Sequence, residues 1–267
     1  MNLLESIMAE RRRDIARDRL SEASPGLAAA QGSYPRRSLR SVLRGRSGTR
    51  ILAEVKRASP SAGPLRTDYD PAAIAAAYED AGASAISVLT EPRRFLGSME
   101  HLRSVRGRVN IPVLCKDFIC DPFQIQQAAA CGADVVLLIV AALTRDELVL
   151  LHGEIRGRGL ETLVEVHDES ELDAALALDG AVIGVNNRNL TTLACDLAVS
   201  RRLAASIPAG RPRIAESGIR TRRDIEELED LGYDGFLVGE SLLRHSNPAE
   251  ALRLLLGSSR ATLNMRE

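Results

Sequence analysis

The stretch Pro112–Ile139, PVLCKDFICDPFQIQQAAACGADVVLLI, contains one complete strand–helix–strand unit. Its two ends are short runs of valine, leucine and isoleucine, the composition of strands buried in a parallel sheet. Between them, Asp121 precedes Pro122, which places an N-capping side chain before a proline at the first helical position. Gly132 then ends the helix in a left-handed turn. The stretch therefore predicts two parallel strands joined by a crossover helix.

The same unit recurs along the chain, each time as an apolar run, one or two polar residues, a helix with start signals and a turn. The runs are Ile51–Val55, Ala85–Leu89, Pro112–Lys116, Asp134–Ile139, Glu161–Val166, Ala181–Val185, Arg213–Glu216 and Asp234–Val238. Because the units follow one another without a gap, they favour a single α/β (β/α)8 TIM barrel. An open doubly wound sheet is less consistent with the sequence, because the G-x-G-x-x-G motif typical of that fold does not follow the first strand.

The first part of the chain lies outside this repeat. Four apolar residues there have roughly helical spacing and predict an amphipathic helix over part of the barrel: Leu4, Ile7, Met8 and Ile15. A polar linker, residues 21–38, and a second short helix should follow. We therefore expect an N-terminal helical extension over residues 1–50, the barrel over residues 51–257 and a C-terminal tail over residues 258–267.

Composition limits the class of protein. A length of 267 residues fits one α/β barrel, and 45% hydrophobic and 27% charged residues are ordinary for a globular protein. A net charge of −1 gives no support for a nucleic-acid partner or an anionic membrane surface. No stretch is apolar enough to cross a bilayer, and the N-terminus does not resemble a signal peptide. We expect a cytoplasmic protein, either a monomer or a weak homo-oligomer.

The cysteines and histidines are dispersed. The cysteines form no C-x-x-C pair and have no histidine at metal-ligand spacing: Cys115, Cys120, Cys131 and Cys195. The histidines do not cluster either: His101, His152, His167 and His245. We therefore expect free thiols and no zinc or iron site.

Polar residues follow several predicted strands at their C-terminal ends, where barrels of this kind have their active sites. They are Glu54, Lys56, Lys116, Glu165, Asn186, Arg188, Glu216 and Ser217. Side chains alternate along a strand, so Glu54 and Lys56 share a face. Buried charges cost free energy unless they pair or bind a ligand. For any single one of these residues, a structural ion pair is as good an explanation as a catalytic role. The convergence of all of them at one end of the barrel predicts an active site.

Two glycine-containing turns after the last two strands indicate a phosphate site. They contain Ser217 with Gly218, and Gly239 with Glu240. Barrels commonly bind phosphate on backbone N–H groups of these two loops. A lone glycine usually marks only a turn, whereas the pair in consecutive units is more specific.

The connection between Arg57 and Asp70 is long for a strand–helix loop and contains Ser59, Pro60 and Ser61. Connections of this length are often active-site lids, although a flexible loop without function is the alternative. Three apolar residues near the ends of the second, third and fourth strands would form walls for an aromatic substrate: Phe95, Phe118 and Leu137. Core packing explains them equally well.

Together these motifs resemble the indole-3-glycerol-phosphate synthases. The matching stretches include Ile51–Gly63 (ILAEVKRASPSAG), Cys115–Ile125 (CKDFICDPFQI), Ile183–Leu190 (IGVNNRNL) and Leu237–Leu242 (LVGESL), and they occur in family order. The EVKRASPS and KDF elements are highly specific. Two positions depart from the family pattern: Cys115 replaces a common arginine, and Ala62 a common lysine.

The resemblance implies a step of tryptophan biosynthesis catalysed without a cofactor or a metal. The substrate would be a phosphorylated anilino-sugar, 1-(2-carboxyphenylamino)-1-deoxyribulose 5-phosphate, which undergoes ring closure, decarboxylation and dehydration to indole-3-glycerol phosphate. The implied acid is Lys116, whose pKa burial can lower, and the implied base is Glu165. Lys56 would be an alternative second acid and would contact the substrate carboxylate or phosphate, with Glu54 orienting it.

The other implied contacts complete the site. Asn186 and Arg188 would hold sugar hydroxyls and tune Glu165, while Glu216 and Ser217 complete the floor. The phosphate would be bound by Lys56, Ser217, Gly218, Gly239 and Glu240, and the aromatic ring by Phe95, Phe118 and Leu137.

Three alternatives remain open. A lysine Schiff-base aldolase would use Lys116 or Lys56 as its nucleophile. A metal-dependent pentulose-phosphate epimerase is disfavoured because the strand ends show no histidines. A catalytically inactive barrel kept for binding would leave the charged strand ends unexplained.

Overall fold

The structure is a computed structural model that describes residues 2–20, 34–45, 48–66 and 68–257. Within these ranges, parallel strands form a closed barrel in which each strand pairs with its sequence neighbours and the last pairs with the first. The strands are β1 (Ile51–Val55), β2 (Ala85–Leu89), β3 (Val113–Lys116), β4 (Val135–Ile139), β5 (Glu161–Val166), β6 (Val182–Asn186), β7 (Arg213–Glu216) and β8 (Gly235–Val238). The predicted (β/α)8 barrel is confirmed, with strand bounds within one residue of those expected.

Helices precede the barrel and alternate with its strands. They are α1 (Leu3–Leu20), α2 (Leu39–Leu43), α3 (Pro71–Asp80), α4 (Met99–Arg106), α5 (Pro122–Ala130), α6 (Arg145–Gly157), α7 (Glu169–Leu176), α8 (Ala198–Leu203), α9 (Arg222–Asp230), α10 (Glu240–Leu243) and α11 (Pro248–Leu255). Asp70, Asp121 and Asn247 cap their helices as the Asx–Pro pairs predict. None of the helices in the described ranges has the length and hydropathy needed to span a bilayer.

The barrel interior is a packed apolar core, closed at its N-terminal end by α2. Leu39 and Leu43 of α2 are buried against inward-facing residues of the strands, among them Leu52, Leu114 and Leu163. Burying one leucine stabilises a fold by about 1.5–3 kcal/mol. The interior is therefore filled from below, and only the opposite end of the barrel is available for a polar cavity.

Helix α1 packs over that opposite end. Its apolar face is buried as predicted: Leu4, Ile7, Met8 and Ile15. Arg11 donates two hydrogen bonds to Asp117, directly after β3, at 3.0 and 2.8 Å. Arg93, in the loop after β2, donates to Asp14 of α1 at 2.7 and 2.6 Å. These pairs fix α1 against the loops at the C-terminal ends of β2 and β3.

Two parts of the predicted organisation fall wholly or partly outside the described residues. Most of the polar linker, residues 21–33, lies outside them, and so does the C-terminal tail, residues 258–267. The division into extension, barrel and tail therefore stays a prediction.

The buried Arg11–Asp117 pair should carry much of the attachment of α1. We expect Arg11→Ala to lower the free energy of unfolding by about 3–5 kcal/mol, because it leaves a buried carboxylate without its cation. The neighbouring Arg12 pairs with Glu147 at 2.8 Å on the exposed side of the helix, so Arg12→Ala should cost at most about 1 kcal/mol. Urea denaturation measures both, and equal losses would contradict this assignment.

Candidate active site

A cavity of 740 Å³ opens at the C-terminal ends of the barrel strands. Most of the residues predicted for the site line it: Glu54, Lys56, Ser61, Phe95, Lys116, Phe118, Leu137, Glu165, Asn186, Arg188, Ser217, Gly218, Gly239 and Glu240. Glu216 is fully buried against Lys116, while Ser59 and Pro60 line a smaller adjoining cavity together with residues of α1. The structure therefore brings the predicted residues to one mouth, while their individual roles stay predictions.

Alternate strands supply the charged floor of this cavity. Glu54, Lys116, Glu165 and Glu216 belong to β1, β3, β5 and β7 in turn, the pattern by which alternate strands fill one layer of a barrel interior. Two residues earlier on the same strands lie Leu52, Leu114, Leu163 and Ile214, all in the inner apolar core. A charged layer thus rests directly on an apolar one, because side chains two residues apart share a face.

Lys116 lies at the centre of the charged layer. Its Nζ is 2.5 Å from Glu216 Oε2 and 3.4 Å from Glu165 Oε2. Burial lowers the pKa of Lys116, but Glu216, Glu165 and Glu54 outweigh burial and raise it above its ordinary value. The lowered pKa expected from the sequence is therefore wrong, because this lysine faces carboxylates and not an apolar wall. Lys116 is a cation at neutral pH and can donate a hydrogen bond or a proton.

The two carboxylates beside Lys116 differ in pKa. Burial raises the pKa of Glu216 to about 7, and the attraction of Lys116 offsets this only in part. Burial also raises the pKa of Glu165, but Lys116 and His167 together hold it below its ordinary value. Carboxylates whose environments separate their pKa values are suited to different proton-transfer roles. Glu165 is ionised at neutral pH and can accept a proton.

Lys56 forms a second buried ion pair at the mouth. Its Nζ lies 2.6 Å from Glu54 Oε1, and both side chains are almost completely buried. Burial raises the pKa of Glu54, but the two lysines, Lys56 and Lys116, outweigh burial and lower it. Glu54 therefore holds the Lys56 ammonium group in the cavity wall, where a substrate anion would compete for it.

The first of the two predicted phosphate loops, which follows β7, has the backbone expected of a close-approach site. Ser217 and Gly218 both have left-handed φ values, 64° and 79°. A left-handed serine costs about 1–3 kcal/mol unless its surroundings hold it. The Asn187 side chain does so by donating to the carbonyl oxygens of Glu216 and Ser217 at 3.0 and 3.3 Å.

Glu240 differs from the other predicted phosphate-binding residues because it is an anion. Its carboxylate pairs with Arg188 at 3.3 Å and with Arg244 at 2.9 Å. Arg220 and Arg244 also line the cavity, and sequence reasoning did not single them out. Arg220 follows Gly218 by two residues and Arg244 follows Gly239 by five. The two glycine turns that predicted the phosphate site could therefore also have indicated these arginines.

The apolar residues predicted to hold an aromatic ring lie together. The rings of Phe95 and Phe118 are 6.1 Å apart between centroids, and Leu137 is buried on the floor. The predicted lid contains a short antiparallel hairpin, Ala58–Ser59 with Gly63–Pro64. Ala58 N–H donates to the Phe95 carbonyl oxygen at 3.2 Å, so the hairpin is joined to the aromatic wall. Its motion stays a prediction.

The prediction that no histidine lies at the strand ends is wrong. His167 directly follows β5, and its Nε2 lies 3.3 Å from Glu165 Oε1. The sequence carried the signal, since a residue two positions after Glu165 shares its face. A metal-dependent epimerase is therefore no longer disfavoured by a lack of histidine at the strand ends. No group of three or more His, Cys, Asp or Glu side chains in the described ranges is placed to hold a metal ion.

Gly184 provides the space in which Glu216 is buried, because a Cβ at Gly184 would collide with its carboxylate. We expect Gly184→Ala to move Glu216 away from Lys116, lower stability by about 1–3 kcal/mol and reduce turnover by about 100-fold. Gly153, on the exposed face of α6, has open space around it, so Gly153→Ala should stabilise by about 0.5–1 kcal/mol without affecting turnover. Denaturation and steady-state kinetics test both, and full activity in Gly184→Ala would refute the packing argument.

Comparison with known proteins agrees with this geometry. A family model described as indole-3-glycerol phosphate synthase matches residues 4–255. The chain is 44% identical to the indole-3-glycerol phosphate synthase of Koribacter versatilis over 256 residues, which are 95% of this chain and 98% of that protein. It is 47% identical to that of Kineococcus radiotolerans over 263 residues, 97% of this chain and 96% of that protein.

Among solved structures, the chain resembles thiamine phosphate pyrophosphorylase from Pyrococcus furiosus with a TM-score of 0.60 and 18% identity, over 82% of this chain and 96% of that one. A likeness at that identity concerns the fold alone. The family match over nearly the whole chain, the two relatives and the strand-end residues agree. The chain belongs to the indole-3-glycerol phosphate synthase family.

Proposed function

We propose that this chain converts 1-(2-carboxyphenylamino)-1-deoxyribulose 5-phosphate into indole-3-glycerol phosphate, carbon dioxide and water at the mouth of its barrel. The observation that carries the proposal is the placement of cationic Lys116 between Glu165 and Glu216 on the floor of a cavity with apolar walls. Family membership supplies the reaction, and the contacts of the described residues support the assignment of roles.

Ring closure needs an acid beside the ketone oxygen, so that the ring carbon bearing the carboxylate can attack the ketone carbon. Lys116 suits this role because its neighbouring carboxylates keep it protonated. A preorganised ammonium group stabilises the negative charge that develops on the oxygen, and it can transfer its proton there. The raised pKa thus favours a charged donor over a neutral amine.

Loss of carbon dioxide returns the electrons of the breaking bond to the ring and restores its aromaticity. The substrate carboxylate would be held by Lys56, which Glu54 orients at 2.6 Å. Phe95, Phe118 and Leu137 would surround the ring with apolar surface. Apolar walls favour this step because a buried carboxylate is poorly solvated, whereas carbon dioxide carries no charge.

Dehydration needs an acid for the leaving hydroxyl and a base for a proton on the sugar carbon or the nitrogen. We assign the base to Glu165, whose lowered pKa keeps it ionised, and the acid to Lys116 or Lys56. The Asn186 side chain helps to lower the pKa of Glu165 and, with Arg188, would hold sugar hydroxyls.

The phosphate would bind to backbone N–H groups at Ser217, Gly218 and Gly239, with the Lys56 ammonium as the alternative cationic contact. Glu240 would act through Arg188 and Arg244, which it already pairs. Direct contact between its carboxylate and a phosphate would place two anions together, and this is unfavourable.

The reaction can be followed by indole fluorescence, because the chain contains no tryptophan. We expect Lys116→Met and Glu165→Gln each to lose at least about 100-fold in kcat, the size of a general acid or base contribution. Glu161, at the other end of β5, accepts hydrogen bonds from Ser38 and from the Arg40 N–H, so Glu161→Gln should keep its turnover. Near-normal turnover in Lys116→Met would remove the central assignment.

The Schiff-base aldolase alternative requires a neutral lysine amine, and the raised pKa of Lys116 opposes it. Borohydride trapping of a covalent adduct with substrate would support that alternative, since ring closure forms no imine with the protein. The cytoplasmic location, the monomeric or weakly oligomeric state and the absence of a nucleic-acid partner stay predictions from composition.

A further inference from the structure

His167 lies between two carboxylates at the edge of the active site. Its Nε2 is 3.3 Å from Glu165 Oε1, and its Nδ1 is 3.1 Å from Glu171 Oε2. The imidazole and the Glu171 side chain are about 14% and 16% exposed, and that of Glu165 is 3% exposed. A row of alternating acid and base therefore leads from Glu171, in the first turn of α7, through His167 to the assigned base.

The local fold fixes the orientation of this histidine. Asp168 caps α7 by accepting from the Glu171 N–H at 3.1 Å, and the spacing of the two residues predicts a reciprocal capping box. Glu171 instead accepts from the backbone N–H of His167 at 2.8 Å and from its ring. Because Glu171 holds both the backbone and Nδ1 of His167, only Nε2 remains to face Glu165.

We propose that His167, held by Glu171, is a positioning residue that keeps Glu165 ionised and correctly oriented as the base of the reaction. The inference rests on the proposed function. In that reaction His167 would neither donate a proton to the substrate nor accept one from it. His167 acts on the substrate only through Glu165.

The charges around Glu165 show why a second cation is useful. Lys116 lies closer to Glu216 than to Glu165, 2.5 against 3.4 Å, so its charge is shared. When Lys116 gives its proton to the substrate, it also loses its positive charge. Without His167, Glu165 would then be buried with no cation beside it. His167 approaches from the other side and takes no part in that transfer, so its charge persists through the step.

The groups that face His167 favour its charged form. They are Glu165 from β5, Glu171 from α7 and the capping Asp168, and the cation Lys116 contacts Glu165. Burial lowers the pKa of His167, but Glu165 and Glu171 outweigh burial and raise it to about 10. His167 is therefore doubly protonated at neutral pH and acts as a fixed cation.

His152 provides a matched control elsewhere in the barrel. It is also buried, with Nδ1 2.8 Å from Thr162 Oγ1 and Nε2 3.1 Å from the Asp179 carbonyl oxygen. Burial lowers its pKa, because it faces a hydroxyl and a carbonyl where His167 faces carboxylates. A loss of stability without an effect on catalysis is the expected result at His152.

The first experiment compares the kinetics of His167→Gln, His167→Lys and His152→Gln. The Glu165 pKa is held low in the folded protein, so the base works above that pKa and fails as the pH falls through it. We expect His167→Gln to lower kcat about 10-fold, leave KM nearly unchanged and move the acid limb of kcat/KM about one pH unit upward. His167→Lys should recover part of both losses because it restores a cation, and His152→Gln should keep the wild-type profile.

An unchanged acid limb in His167→Gln would overturn the inference, and so would a His167→Lys variant that folds but recovers nothing. The same pH shift in His152→Gln would also overturn it, because any buried histidine would then have this effect.

A second measurement needs no turnover. NMR titration of the histidine rings should show one ring protonated well above neutral pH in the wild type, and the same ring deprotonating at lower pH in Glu165→Gln and Glu171→Gln. A wild type in which every histidine titrates near the ordinary value of about 6.5 would refute the inference. If the wild type forms no indole but this titration behaves as expected, the proposed reaction fails while the Glu165–His167–Glu171 arrangement stands.

Discussion

Each layer inside the closed barrel is filled by alternate strands, and this constraint determines where the charges of the site meet. The layer formed by Glu54, Lys116, Glu165 and Glu216 lies on an apolar layer two residues earlier on each strand. Four ionisable groups are thus forced together where little water reaches them. Each must be compensated by a neighbour, because an isolated buried charge costs several kcal/mol.

The buried charges of this layer are compensated to different degrees, and these differences determine which groups can donate or accept protons. The three glutamates of this layer share Lys116 and the neighbouring Lys56, so Lys116 stays cationic despite its burial. Glu216, the most deeply buried carboxylate, is only partly offset, and its pKa rises to about 7. Glu165 has His167 as an additional partner and remains ionised. A donor and an acceptor of protons therefore exist 3.4 Å apart in one cavity.

Packing around the layer makes the arrangement possible. Gly184 and Gly239 leave space for the carboxylates of Glu216 and Glu54, which a Cβ at either glycine would displace. Helix α2 closes the barrel from below, and α1 is joined through Arg11 to Asp117, the residue that follows Lys116. Helix α1 is thus bonded to the residue next to the proposed acid, which links the stability of α1 to the geometry of the site.

The sequence alone determined the elements whose signals are local. Strand runs, Asx–Pro caps and the polar residues at strand ends depend on neighbours within a few positions, so the barrel, its mouth and most lining residues could be predicted. Only the tertiary structure decided the protonation of the site. Glu165 and Glu216, which raise the pKa of Lys116, lie 49 and 100 residues further along the chain. The role of His167 depends on β5 and α7, which together place it between two carboxylates. A pKa depends on distances to charges, and the closed sheet sets those distances.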